Sequence, residues 1–331
     1  MAALMLLAFS TSKAQFTLRI GGGYAGPGLQ NNEAVLGPKV DPLTSNVDAL
    51  VPMANINDSA VTYKPVHGSF TTGGNVTIAA GYMFADIIGL DLGVSYAHSA
   101  TISSYQVRLL APGSGAYIYA KTNASSYGIA ISPAITLTAA KTGWKVYPYG
   151  RFNLVLPVAG KLTDNLTIDG PTGFTLNTAP TWLGGHTQVQ LVTEGTVSLG
   201  FGGAIGVAYR PVPFLSIFAE INGQYLNIKG KSSTVTQWDA TSTTGGVTTT
   251  TSDLGTTQQG KRGAYRDQFT YVDQLNSKSN NAAYNPNYDP NKPKEDIRPT
   301  SPASNLGFNI GVTFYLSKKT LKKQDKPAAK K

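Results

Sequence analysis

The chain has 331 residues, no cysteine, 36 glycines, 14% charged residues and a net charge of +9. Ordinary soluble domains carry about 25% charged residues and about 7% glycine, so this chain is charge-poor and glycine-rich. The missing cysteine excludes a disulfide framework, thiolate chemistry and cysteine-ligated metal, and no cofactor motif is present.

At the amino terminus, Ala2–Ser10 is a short apolar run followed by Ser12-Lys13-Ala14. This pattern predicts a signal peptide over residues 1–14, cut after Ala14. The run is too short to cross a bilayer as a helix, which takes about 20 apolar residues.

From Gln15 onward the apolar residues recur with period two, the spacing that puts successive side chains on opposite faces of a strand. Eight such segments follow in order. In the first, Phe16, Leu18, Ile20 and Tyr24 oppose Thr17, Arg19, Gly21 and Gly23. Then come Val76–Phe84, Leu90–Tyr96, Tyr127–Leu137 and Trp144–Leu156. The remaining three are Leu199–Tyr209, Leu215–Tyr225 and Leu306–Leu316. Seven of them span 9–13 residues, the length of a tilted membrane strand, and Leu90–Tyr96 spans seven.

The gaps alternate. Residues 85–88, 139–143 and 210–213 are tight turns, whereas 26–68, 101–124, 158–195 and 228–303 are long and polar. Soluble sandwiches have no reason to gather every long connection at one end; outer-membrane barrels do, with short periplasmic turns and long external loops. The outward aromatics fall in two groups. Tyr24, Tyr96, Tyr127 and Tyr225 adjoin the long loops, while Phe16, Tyr82, Phe84, Trp144, Tyr209 and Phe314 lie near the short turns or termini. Two aromatic girdles are expected where rings settle at membrane interfaces.

The expected fold is therefore an all-β, eight-stranded antiparallel up-and-down transmembrane barrel over 15–317, with four long external loops. The phrases YMFADIIGLDLGVSY (82–96), KVYPYGRFNLVLPV (145–158) and FNIGVTFYL (308–316) resemble the small, OmpA/OmpX-like outer-membrane barrels and the porin-family outer-membrane β-barrel domain of Gram-negative bacteria. The final Phe314-Tyr315-Leu316 is similar to the carboxy-terminal insertion signal of such barrels, although fourteen residues follow Ser317 here. The resemblance implies the outer membrane as location and outer-membrane lipid as a partner. It also implies a non-enzymatic structural or surface-interaction role carried by the extracellular loops; a narrow pore for small solutes is the alternative, and a lipid-modifying barrel enzyme a third.

Candidate sites are few. Inward parity collects Arg19, Asp91, Arg151 and Glu220 from four strands, with balanced charges. A lumen as narrow as eight strands give requires such charges to pair or stay hydrated; the reading is a polar network filling the lumen. His98 and Ser99 are adjacent on one strand and so point to opposite faces, which removes them as a base and nucleophile. His67, His98 and His186 are scattered, giving no histidine metal centre. Asp289, Asn291, Glu295 and Asp296 supply oxygen donors but lack the glycine of a calcium loop, so no metal is expected. Residues 232–252 suggest a threonine-rich hairpin around Gly245-Gly246, and Phe269, Tyr271, Val272 and Leu275 form an apolar cluster suited to the barrel mouth or a partner. Seven of the last fourteen residues (318–331) are lysines, against Asp325. This basic periplasmic tail suits an anionic partner there, while nucleic acid is excluded because its binders spread basic residues over a face.

Overall fold

A computed structural model of the chain describes residues 15–27, 69, 71–84, 87–109, 117–139, 144–169, 185–244, 247–252 and 268–316. The expected signal peptide, the lysine tail and most of the first long loop lie outside these residues. All described regular structure is β. In chain order the strands are β1 (Gln15–Pro27), β2 (Gly73–Met83), β3 (Ile88–Ser99), β4 (Ile102–Leu109) and β5 (Tyr117–Thr138). They continue with β6 (Val146–Asp169), β7 (Gly185–Gly195), β8 (Gly200–Val212), β9 (Leu215–Tyr225) and β10 (Asn227–Thr244). The last are β11 (Val247–Ser252), β12 (Gln268–Val272), β13 (Lys294–Ile297), β14 (Thr300–Pro302) and β15 (Asn305–Leu316).

Eight of them close a barrel in the order β1-β2-β3-β5-β6-β8-β9-β15, with β15 returning to β1 from Phe16↔Leu316 to Pro27↔Asn305. Every neighbouring pair in this ring is antiparallel. Closure pairs the strand edges around the ring, as a sheet surrounded by hydrocarbon requires, except along a short stretch of β6 at 156–160. The period-two pattern sets the two faces: Leu92, Ile205 and Ile310 are 57%, 70% and 62% exposed on the outside, while Arg19, Ser216, Glu220 and Asn309 are buried within.

The segments expected as loops contain further strands. β5 and β6, of 22 and 24 residues, run well beyond the outer tyrosines and stay paired up to Tyr119↔Asp169. Above the barrel β6 turns from β8 to β7, and β7 pairs β10, which also carries β11, β12 and β14. A second core lies here, of Val189, Leu191, Val235, Trp238, Phe269 and Tyr271 with Leu166 against it. The long connections are thus partly an extension of the sheet beyond that end of the ring. Serine and threonine dominate β10 and β11, whose antiparallel pairing from Asp239↔Ser252 to Thr244↔Val247 is the threonine-rich hairpin expected within 232–252.

Candidate functional site: a blocked lumen and a lateral break

The short-turn half of the lumen is filled in two layers. In the lower one, Tyr147 and Tyr315 hydroxyls lie 2.8 Å apart, and the Arg210 guanidinium sits 3.8 Å from the Tyr315 ring centre. Above it, Glu220 is the hub. Its Oε2 receives Arg19 Nη2 at 2.5 Å and the Tyr149 hydroxyl at 2.8 Å, and its Oε1 receives Arg151 Nη2 at 2.8 Å. Arg19 also donates to the Tyr149 hydroxyl at 2.7 Å. The apolar face of the Arg19 guanidinium rests on Phe218, 3.5 Å from the ring centre, a cation–π contact.

Two glycines make room for that ring. A Cβ at Gly21 or Gly311 would stand 2.7 or 2.6 Å from Phe218 Cζ, so no larger residue fits without displacing the plug. Phe218 is the residue the alternation misses, because it is apolar on a polar-facing position; its signal is the pair of glycines opposite it.

Three of the four expected lumen charges, Arg19, Arg151 and Glu220, therefore meet. Asp91 does not join them: its carboxylate accepts from Thr136 Oγ1, and it forms no ion pair among the described residues. β5 stands between Asp91 on β3 and Arg151 on β6, which separates the charges across the wall.

Above the plug the lumen opens into a cavity of about 480 Å³. Its floor presents Arg151, Asn153, Asn222 and Asn309, with Asp91 on the wall. Arg151 Nε, Asn222 Oδ1 and Asn309 Oδ1 are buried there without a hydrogen-bond partner. Beside the slit the wall carries an apolar patch, where Val155 and Leu226 are buried with Ala130 and Ile228 against them, and above it Lys161, Thr193, Glu194 and Lys231 join the lining.

One part of the barrel wall is not hydrogen-bonded. β6 pairs β8 as far as Val155↔Gly200 and pairs β7 only from Lys161↔Glu194 onward. No register pair joins 156–160 to 195–199. Pro157 has no N–H to donate to the ladder, and a bulge between Ile129 and Ala130 faces Pro157–Ala159 on the β5 side. Across the break, Thr196 is held from the other side through its N–H to Lys229 O at 2.7 Å. The cavity reaches this slit, since both its margins, Pro157–Lys161 and Glu194–Val197, belong to the lining.

The outer aromatics Tyr24, Tyr96, Tyr127 and Tyr225 are all exposed on the barrel exterior, with Tyr96 and Tyr127 stacked at 6.5 Å. At the other end Phe16, Trp144 and Tyr209 are exposed and Phe84 and Phe314 half-exposed; Tyr82 contacts Phe16 at 5.0 Å and Phe84 at 5.1 Å. His98 is exposed and Ser99 buried, its Oγ accepting from Ser126 N at 2.7 Å. In the Asn-rich segment, Glu295 Oε2 accepts from Asn280 N and Asp289 Oδ1 from Asn291 N, each at 2.9 Å. These carboxylates serve the loop's own backbone, and no metal-binding cluster exists among the described residues.

Outside the membrane-spanning part, Asp164 is buried on the inner face of the extracellular sheet, and neither carboxylate oxygen has a partner. Burial pushes its carboxyl up to about 7. Burial also raises the Tyr271 hydroxyl, which shares a hydrogen bond with Ser233 at 2.7 Å. Asp273, fully exposed, is lowered by its hydrogen bond from Arg298 at 2.8 Å.

No curated protein sequence matches the chain. Among solved structures it is similar to a major outer membrane protein from Thermus thermophilus, with 11% identity over 92% of this chain and 99% of that one, at a TM-score of 0.33. The model of the outer membrane protein beta-barrel domain matches residues 1–257. With the closed eight-stranded ring, its apolar exterior and that match, the chain belongs to the outer membrane protein beta-barrel domain family and resides in the outer membrane.

Proposed function

We propose that this protein is a non-enzymatic barrel acting at the cell surface, in which the membrane ring is a scaffold and the extracellular sheet the binding face. The observation that carries this reading is the division of the molecule into a blocked lumen and a separately cored sheet above it. A rigid scaffold displaying strands and loops is a common arrangement for binding. Material beyond what closes the ring has no role in spanning the bilayer. The pore reading is weaker, because Arg19, Tyr149, Phe218 and Glu220 occupy the cross-section of a lumen only wide enough for side chains. The enzyme reading loses the one base–nucleophile pair considered for it, His98 and Ser99 being on opposite sides of β3. Outer-membrane lipid contacts the apolar exterior in this reading, and the lysine tail is available to anionic material in the periplasm.

The test replaces residues 232–300 with a short Gly-Asn turn. The β9 and β15 strands on either side keep their pairing from Asn305↔Gln224 to Phe314↔Leu215, so the shortened protein should insert and show the heat-shifted gel mobility of a closed barrel. Cells producing the full-length protein are expected to adhere to surfaces or to one another more than cells without it, and cells producing the shortened protein should lose that gain. A shortened protein that keeps full adhesion refutes the proposal.

A further inference from the structure

From the break in the β6 wall, we infer that the barrel admits an outer-leaflet amphiphile sideways: a single-chain lipid with a neutral, hydroxyl-bearing head. Height comes first. Tyr127 of the outer girdle is register-paired with Lys161, and Ile131 with Leu156, so the unpaired stretch 156–160 begins at the girdle and extends just below it. That is the boundary between head groups and chains in the outer leaflet. Unpaired backbone facing hydrocarbon is costly, so this opening needs something polar at its margin, and lipid head groups are what lies there.

The slit is lined outside by exposed Val158, Val197 and Leu199, and its upper end is closed by the Lys161–Glu194 ion pair at 3.7 Å. Behind it the cavity grades from apolar to polar. Val155, Leu226, Ala130 and Ile228 meet what passes the slit, and Arg151, Asn222 and Asn309 lie toward the plug. A molecule matching that gradient has one apolar and one polar end.

The floor also specifies the head. Arg151 Nε is an unused donor, and Asn222 Oδ1 and Asn309 Oδ1 are unused acceptors, so a head with both hydroxyl donors and acceptors satisfies all three. Arg151 is paired with Glu220 and Lys161 with Glu194, and the other charged residues of the lining, Lys231 and Asp91, are of opposite sign. A net-charged head would therefore bring an uncompensated charge into a narrow space. The volume, about 480 Å³, admits a head and the first part of a chain while the rest stays in the leaflet.

The probe is a monoacylglycerol with a photoreactive diazirine in the chain, at low mole fraction in nanodiscs holding the full-length protein, with adducts mapped by mass spectrometry. Adducts are expected on inward Val155, Leu226 and Ala130 as well as on outward Leu154 and Phe201. Ala130→Phe should lower the Val155 and Leu226 adducts at least tenfold and leave the outward ones unchanged; Ala130→Leu serves if the first variant lacks heat-shifted mobility. Because the chain has no cysteine, Val158→Cys with Val197→Cys can be bridged by a short bismaleimide, and bridging before the probe is added should remove interior labelling. Unlabelled monoacylglycerol should compete at least tenfold better than palmitate, whose head is charged. Labelling confined to outward residues overturns the inference. So does interior labelling that survives the bridge, which would mean access from above, and so does palmitate competing as well as the neutral lipid.

Discussion

Glu220→Ala is expected to be the most damaging single substitution in the lumen. Its carboxylate accepts from Arg19 at 2.5 Å and Arg151 at 2.8 Å while the residue is only 4% exposed. Each net hydrogen bond to a charged group is worth about 1.5–3 kcal/mol. Two such bonds together agree with the 3–5 kcal/mol typical of removing one partner from a buried ion pair, because the remaining charge is stranded. Here two guanidinium groups are stranded, so we expect about 3–5 kcal/mol in urea unfolding from lipid vesicles, followed by tryptophan fluorescence. Glu220→Gln keeps the shape and one acceptor and should fall between wild type and the alanine variant. Asp91→Asn keeps an acceptor for Thr136 and breaks no ion pair, so it should cost under about 1 kcal/mol. Equal costs for Glu220→Ala and Asp91→Asn would refute the assignment of Glu220 as the hub.

Three further outcomes follow from the same geometry. Leu92→Arg or Ile217→Arg, placing a charge on outward positions that are about half exposed to lipid, should cost about 2–4 kcal/mol of barrel stability in the same assay; Gly93→Ser, where a Cβ would find only ordinary contacts of 3.5 Å or more, should be tolerated. The Asp164 carboxyl, raised to about 7 by burial, binds a proton in the folded sheet that the unfolded chain releases near pH 4. Stability of the extracellular sheet should therefore be greatest below about pH 4, fall by on the order of 4 kcal/mol up to pH 7 and stay level above it, and Asp164→Asn should flatten that slope in hydrogen exchange of β6 and β7. Replacing 232–300 removes Val235, Trp238, Phe269 and Tyr271 from the upper core, so exchange should accelerate at Val189 and Leu191 while the girdle-level strands stay protected.

The barrel was legible because lipid and lumen impose opposite polarity on alternate residues, and eight segments such as Leu90–Tyr96 and Leu306–Leu316 carry that alternation openly. It fades where both faces meet water or a polar partner. The start of β10, Asn-Ile-Lys-Gly-Lys from Asn227, reads as loop, and the hairpin legible in 232–252 gives no sign that β10 also pairs β7 along much of its length. The upper half of β6 was hidden for another reason: the bulge at Pro157–Ala159 shifts the parity, so that Leu162, Asp164 and Ile168 face inward where the lower strand puts Tyr147, Tyr149 and Arg151. In the lumen, side-chain identity named the charges but not their partners. The separation of Asp91 from Arg151 by β5 and the Phe218 ring against Gly21 and Gly311 depend on stagger between strands, which no single segment encodes. Of the apolar cluster expected near 269–275, Phe269 and Tyr271 do enter a core, that of the extracellular sheet.

In the proposed function the Arg19–Glu220–Arg151 cluster and Phe218 block the lumen, so that the ring is a scaffold with no continuous passage. Single-channel recording of the purified full-length protein in planar bilayers at neutral pH tests this directly. The blocked lumen predicts no sustained openings of porin size; stable, large, long-lived openings in the unmodified protein would contradict it.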